Sequence, residues 1–158
     1  MKKHKLSLLS IAISILALSS CTQQKEFKDQ MDEKKTICYM AIDKTDTAWL
    51  KVDTTKKQVL GELEFNYHNE KHFVGTIKGE VKGDTLKGHY VFKVNKADKW
   101  YRNPIALLKK ENTLTMGVGD IRVMWGAVYF NQNVPIDYDK GRFVFEQAAC
   151  IIKTSSAQ

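Results

Sequence analysis

Residues 58–95 alternate apolar and polar side chains over three strand lengths, broken by two short turn sequences, and this pattern admits little except an antiparallel sheet. Gly83-Asp84 offers a two-residue hairpin loop with a glycine free to take positive φ, which sets Lys82 opposite Thr85. Asn69-Glu70-Lys71 reads as a three-residue loop setting His68 opposite His72. Carried along the strands, these turns give one face the rows Val59, Val81, Leu86; Gly61, Gly79, Gly88; Leu63, Ile77, Tyr90; Phe65, Gly75, Phe92; and Tyr67, Phe73, Val94. Every member is apolar, aromatic or glycine. The other face is polar, with Glu62 expected opposite Lys78 and Glu80 opposite Lys87. A slip of one residue would exchange the two faces, so turn chemistry and patterning support each other.

The same period-two pattern, rich in β-branched and aromatic residues, runs through the rest of the chain from Thr36. It predicts strands over 36–42, 47–52, 58–68, 72–82, 85–95, 105–110, 113–118, 121–130 and 142–152. No segment makes an amphipathic helix, and 124–132 contains a turn at most. The expected fold is all-β: an antiparallel meander of about eight strands closed into an up-and-down barrel of lipocalin-like shape. A curled open sheet or a β-sandwich is the alternative.

The amino terminus carries a different signal. Lys2, Lys3 and Lys5 precede an apolar run from Leu6 to Leu18 that is too short to span a bilayer, and Leu18-Ser19-Ser20-Cys21 completes a bacterial lipobox. Cys21 is therefore expected to carry diacylglycerol and to be the first residue of the mature chain, held in the membrane by several acyl chains. Residues 22–35 are dense in charge and read as a solvated tether. Thr22 after the cysteine, where an aspartate would signal inner-membrane retention, favours the outer membrane, with the face left open. The expected organisation is a signal peptide at 1–20, a tether at 21–35, one all-β domain at 36–153 and a disordered tail at 154–158.

With Cys21 committed to lipid, Cys38 and Cys150 remain, in a compartment that permits oxidation, and they are expected to pair. Closing a loop of about 110 residues would stabilise the fold by roughly 4–5 kcal/mol on the chain-entropy model. The alternative is two buried thiols. A bridge between first and last strands also favours closure, because it requires their Cα atoms within about 7 Å.

Loss of the signal peptide removes three lysines and no acid, lowering the formal charge from +7 to +4 without leaving a basic block. This argues against a nucleic-acid partner. The mature histidines are His68, His72 and His89. His68 and His72 flank Glu70 and Lys71 at a hairpin end; polar residues suffice there, and neither a metal nor a cofactor is expected. Asp137-Tyr138-Asp139-Lys140-Gly141 opens like a calcium loop, but Arg142 and Ala148 occupy its glycine and closing acid positions, so a turn is the better account. No nucleophile motif, P-loop or dinucleotide fingerprint is present, and an enzyme is disfavoured.

The glycine row has two readings. It lets the sheet coil into a barrel, or it opens a groove beside Phe65, Tyr67, Tyr90 and Phe92 for an apolar or ring-shaped ligand. Trp100, in the polar connection 96–104, either contributes to that ligand site or packs across the barrel mouth. These five residues are the candidate ligand-binding set.

Cys38-Tyr39, Asp46-Thr47, Gly61, Leu63 and Tyr67, Glu70-Lys71, Gly75-Thr76-Ile77-Lys78-Gly79, Gly83-Asp84-Thr85-Leu86, Tyr90, the 117–119 stretch and Cys150 together resemble a family of small Bacteroidota lipoproteins. The resemblance spans most of 37–150 and carries scaffold rather than chemistry, while His72 and Val74 replace more polar residues of that pattern. No activity transfers with it; the lipobox and the aromatic inward face lead instead to the expectation of a non-enzymatic, lipid-anchored outer-membrane domain that binds an apolar or glycan-like ligand or a protein partner. An accessory protein without a pocket, or a hydrolase inhibitor, is the alternative.

Overall fold

The computed structural model describes residues 30–32, 35–53, 58–68 and 70–150. Cys21, the signal peptide, most of the tether and the 154–158 tail lie outside the described residues. The chain divides after Met31, and the unit that follows is built of strands. These are β1 (Thr36–Asp43), β2 (Asp46–Asp53), β3 (Gln58–Tyr67), β4 (Lys71–Lys82), β5 (Thr85–Val94), β6 (Trp100–Lys110), β7 (Thr113–Met116), β8 (Ile121–Met124), β9 (Ala127–Phe130) and β10 (Val144–Ala148). Eight of them form a closed barrel in the order β1-β10-β7-β6-β5-β4-β3-β2, and β8 and β9 make a separate two-stranded hairpin. The expected closed antiparallel meander is therefore the fold.

Period-two alternation fills the barrel. Leu50, Val59, Leu63, Ile77, Leu107 and Phe145 are fully enclosed, and Ala41, Ala48 and Phe65 lie in one row where two methyl groups leave room for a ring. Leu60 departs from the pattern: it is on the outer face yet buried, beside Asp53, whose carboxylate accepts a 3.0 Å hydrogen bond from the Asp32 amide.

The register of β4 and β5 is the expected one, from Lys82↔Thr85 through Gly79↔Gly88 to Phe73↔Val94. That of β3 and β4 differs by two residues. The Glu70 amide donates to the Tyr67 carbonyl at 2.8 Å with His68 at φ 45°, so the turn closes earlier and Tyr67, not His68, begins the ladder, opposite Lys71. A shift of two preserves which face each side chain occupies, and facing pattern alone cannot detect it. It breaks the row of three glycines, placing Gly61 opposite Ile77, and sets Glu62 opposite Thr76 rather than Lys78.

The remaining strand glycines mark close approach of the neighbouring backbone. A Cβ on Gly88 would meet the Lys78 carbonyl oxygen, and one on Gly75 the Val91 carbonyl oxygen. Adjacent backbone occupies the space that a groove at these glycines would need.

Two late elements also differ from expectation. β6 begins at Trp100 rather than Ile105. Proline is tolerated in a strand where its missing N–H faces away from a ladder, and β7 reaches only Leu107–Lys110, so the part of β6 holding Pro104 is laddered to β5 alone. The run 121–130 is two strands, because Trp125 (φ 53°) and Gly126 (φ 75°) form a two-residue turn.

The β10 strand is five residues long and pairs with three residues of β1 and three of β7. Cys38 and Cys150 are joined by a disulfide with a Cα separation of 5.1 Å, which fastens this closing strand to β1.

Close backbone approach at Gly88 predicts that Gly88→Ala, a change that ordinarily favours a strand, lowers stability by about 2 kcal/mol through overpacking. Urea unfolding would read this as a lower midpoint, and an unchanged midpoint would show that the strands have room for a methyl group.

Candidate functional site

Strand direction places Asp43, Asp46, Tyr67, Phe73, Tyr101, Met116 and Phe143 toward one end of the barrel. Four of the five candidate ligand residues, Phe65, Tyr67, Tyr90 and Phe92, project into the interior here. Their rings touch. Tyr90 and Phe92 stack at 4.6 Å between centroids, Phe73 stacks on Phe92 at 5.2 Å, and Phe65 meets Tyr90 edge-on at 5.8 Å. Phe143, the residue before β10, adds a further ring, 5.0 Å from Phe65. Phe65, Tyr90 and Phe92 are thereby buried, while Tyr67 and Phe73 are half-buried at the rim.

Trp100 is not part of this group. It pairs with Lys93 on the outer face, where the lysine ammonium lies 4.9 Å from its ring centre, so it does not pack across the mouth. Its neighbour Tyr101 takes the inward position and stacks on Phe92 at 5.6 Å. Asn103, opposite Tyr90, also faces inward. Both residues are nevertheless exposed, Tyr101 at 39%. They stand on the part of β6 that β7 does not reach, and this shortfall bares the edge of the ring stack to solvent.

The opposite side of the mouth is charged. The Arg142 Nε and Nη2 atoms each donate at 2.6 Å, to Asp43 and Asp46 respectively, and the guanidinium lies 5.5 Å from the Phe143 ring centre. Hydrogen bonds to Asp46 and then Asp43 hold its pKa above the ordinary arginine value. Burial raises the Tyr67 pKa, with Arg142 opposing and Asp46 adding to the shift. Burial likewise raises the Tyr90 pKa, its phenol donating to the Leu63 carbonyl at 3.0 Å. None of these groups is arranged as a nucleophile and base.

The hairpin end at His68 and His72 has a different use. His72 Nε2 lies 2.6 Å from Glu64 Oε1 on the outer face, and its amide donates to Asn95 Oδ1 at 2.8 Å. Among the described residues, no group of three His, Cys, Asp or Glu side chains is placed to hold a metal ion. Asp137 caps its own turn, accepting from the Asp139 and Lys140 amides at 3.0 and 3.2 Å. Beside it, Leu108, Lys110 and Pro135–Asp139 line an open groove of about 540 Å³ outside the barrel.

The sequence missed Tyr101, Asn103, Phe73 and Phe143 as members of the mouth. Phe73 was already on the inward face; the others depended on the extent of β6 and on where β10 joins β1. Comparison with protein-family models, curated proteins and solved structures gives no match to this chain.

Burial of Tyr90 makes stability fall as pH rises. Above its ordinary pKa of 10.0 the unfolded chain releases this proton while the folded chain keeps it. Unfolding free energies from urea titrations of wild type and Tyr90→Phe are therefore expected to differ by about 1 kcal/mol in favour of wild type below that pH, from the lost hydrogen bond. The gap should narrow as pH rises beyond it; a constant gap would mean that Tyr90 is not held protonated.

Proposed function

We propose that this protein is a non-enzymatic binding module of the bacterial outer membrane, tethered through lipid on Cys21, whose barrel mouth takes a flat apolar or glycan-like ligand. One observation carries the reading: Tyr101 and Asn103 face inward yet are exposed, beside the stacked rings of Phe92 and Tyr90. An aromatic surface with one amide at its edge suits a ligand that stacks and accepts or donates a single hydrogen bond. The ring stack is the floor of this site rather than an empty cavity, so the ligand rests against its edge. The envelope location rests on the lipobox and agrees with the resemblance to small Bacteroidota lipoproteins.

A second reading has its own support. Phe65, Tyr90 and Phe92 are packed against one another as a core would be, which favours an accessory protein whose mouth takes no small ligand.

The apolar dye 1-anilinonaphthalene-8-sulfonate distinguishes the two. The binding module is expected to bind it saturably at neutral pH, with affinity about tenfold weaker in Tyr101→Ala, a loss of about 1.4 kcal/mol. Tyr101 is exposed, and the variant should retain the wild-type circular dichroism spectrum. Absence of saturable binding, or affinity indifferent to Tyr101→Ala, supports the accessory reading.

A further inference from the structure

The β8–β9 hairpin is the most apolar exposed feature of the described residues. Ile121, Val123 and Met124 are exposed at 56%, 73% and 50%, and Trp125 at its turn is exposed at 103%. The base is firmly held: the Asn131 amide donates to the Asp120 carbonyl at 2.8 Å, and its side-chain amide donates to the Asp120 carboxylate at 2.8 Å. Tyr129 meets His89 on the outer face of β5 edge-on at 5.7 Å, fixing the hairpin to the barrel wall. An ordered base thus presents an apolar tip.

The tip is not what folding alone would select. Both turn residues have positive φ, a geometry that asparagine followed by glycine adopts readily and a bulky side chain does not. Tryptophan occupies the first position, touching solvent on all sides, where Asn would spare the backbone strain. A strained, fully exposed indole points to a contact outside the chain.

We propose that this tip docks the barrel onto a phospholipid bilayer surface, with the Trp125 indole and the Val123 and Met124 side chains at the headgroup–acyl boundary. Indole is suited to that depth, having an apolar body and one N–H donor. Arg122 is the single charged residue in 121–130, so beyond the Asp120 carboxylate at its base, which accepts from the Asn131 side-chain amide, the hairpin brings one cation and no acid toward the phosphates. The proposal rests on the reading of Cys21 as the lipid anchor for its proximity to membrane. Ten residues lie between Cys21 and Asp32, and the eleven Cα steps reach about 38 Å when extended. A ten-residue strand spans about 33 Å, so the anchor allows the barrel to turn its hairpin to the bilayer. Docking would then fix the orientation of the barrel at the bilayer.

The test uses the full chain produced in a bacterial host that lipidates such proteins, reconstituted into phosphatidylethanolamine–phosphatidylglycerol vesicles with brominated acyl chains. Trp125→Asn is the diagnostic variant, because it relieves the turn and should not unfold the barrel. Bromine quenching of tryptophan fluorescence is expected in wild type and largely lost in Trp125→Asn, leaving only Trp49 and Trp100. Equal quenching in both, with lipid on Cys21 verified by mass, overturns the docking and leaves the anchor intact. If the mass shows no lipid, the anchor reading fails by itself; the same chain added to the vesicles from solution then tests the tip, and lack of Trp125-dependent quenching there overturns it. A lipid-free dimer by sedimentation that Trp125→Asn dissociates also overturns it, by making the tip an interface between copies.

Discussion

The short strand β10 is the piece on which the barrel depends. It contributes three pairs to β1 and three to β7, less than any hairpin of the central sheet, yet without it the meander has two open edges. Its two ends are fastened by unlike means. Beyond its last residue, Cys150 is bonded to Cys38; just before its first, Arg142 bridges Asp43 and Asp46 across the β1–β2 turn. Covalent and ionic fastenings at opposite ends hold a strand that its own ladder would hold weakly. Between them, Phe143 and Phe145 drive two rings into the interior, so closure and core formation occur through the same residues.

Closure also determines what the mouth can do. The chain leaves the barrel after Met116 and returns at β10, and the segment between them contains the β8–β9 hairpin. Because β7 stops early, β6 projects past it, and inward-facing Tyr101 and Asn103 reach solvent. The excursion that follows the short β7 therefore carries two features at once, the bared edge of the ring stack and the apolar hairpin tip. His89 lies under that hairpin, edge-on to Tyr129, its pKa lowered by burial and then by Arg102.

Most of the barrel was legible from local chemistry. Gly83-Asp84 determines the β4–β5 register because only a tight turn with positive φ at glycine fits there. The β3–β4 turn was not legible to the same degree, since an offset of two leaves every side chain on its expected face. Pro104 concealed the beginning of β6, and Trp125 concealed the position of the turn within 124–132 by occupying a place where asparagine is the usual signal. The cysteine pair was readable by elimination, whereas Arg142 lies 99 and 96 residues from its two aspartates and nothing in the local sequence joins them. The ring stack was legible as an inward face; which rings reach solvent depended on where β7 ends.

Hydrogen exchange resolved by strand, on the oxidised protein and again after reduction of the disulfide, tests the central claim most directly. If β10 is held chiefly by its two end fastenings, reduction should release the amides of β10 and the adjoining part of β1 first, and more so in Arg142→Ala, while β3, β4 and β5 keep their protection. Uniform loss of protection around the barrel, or β10 amides as slow after reduction as before, would contradict it.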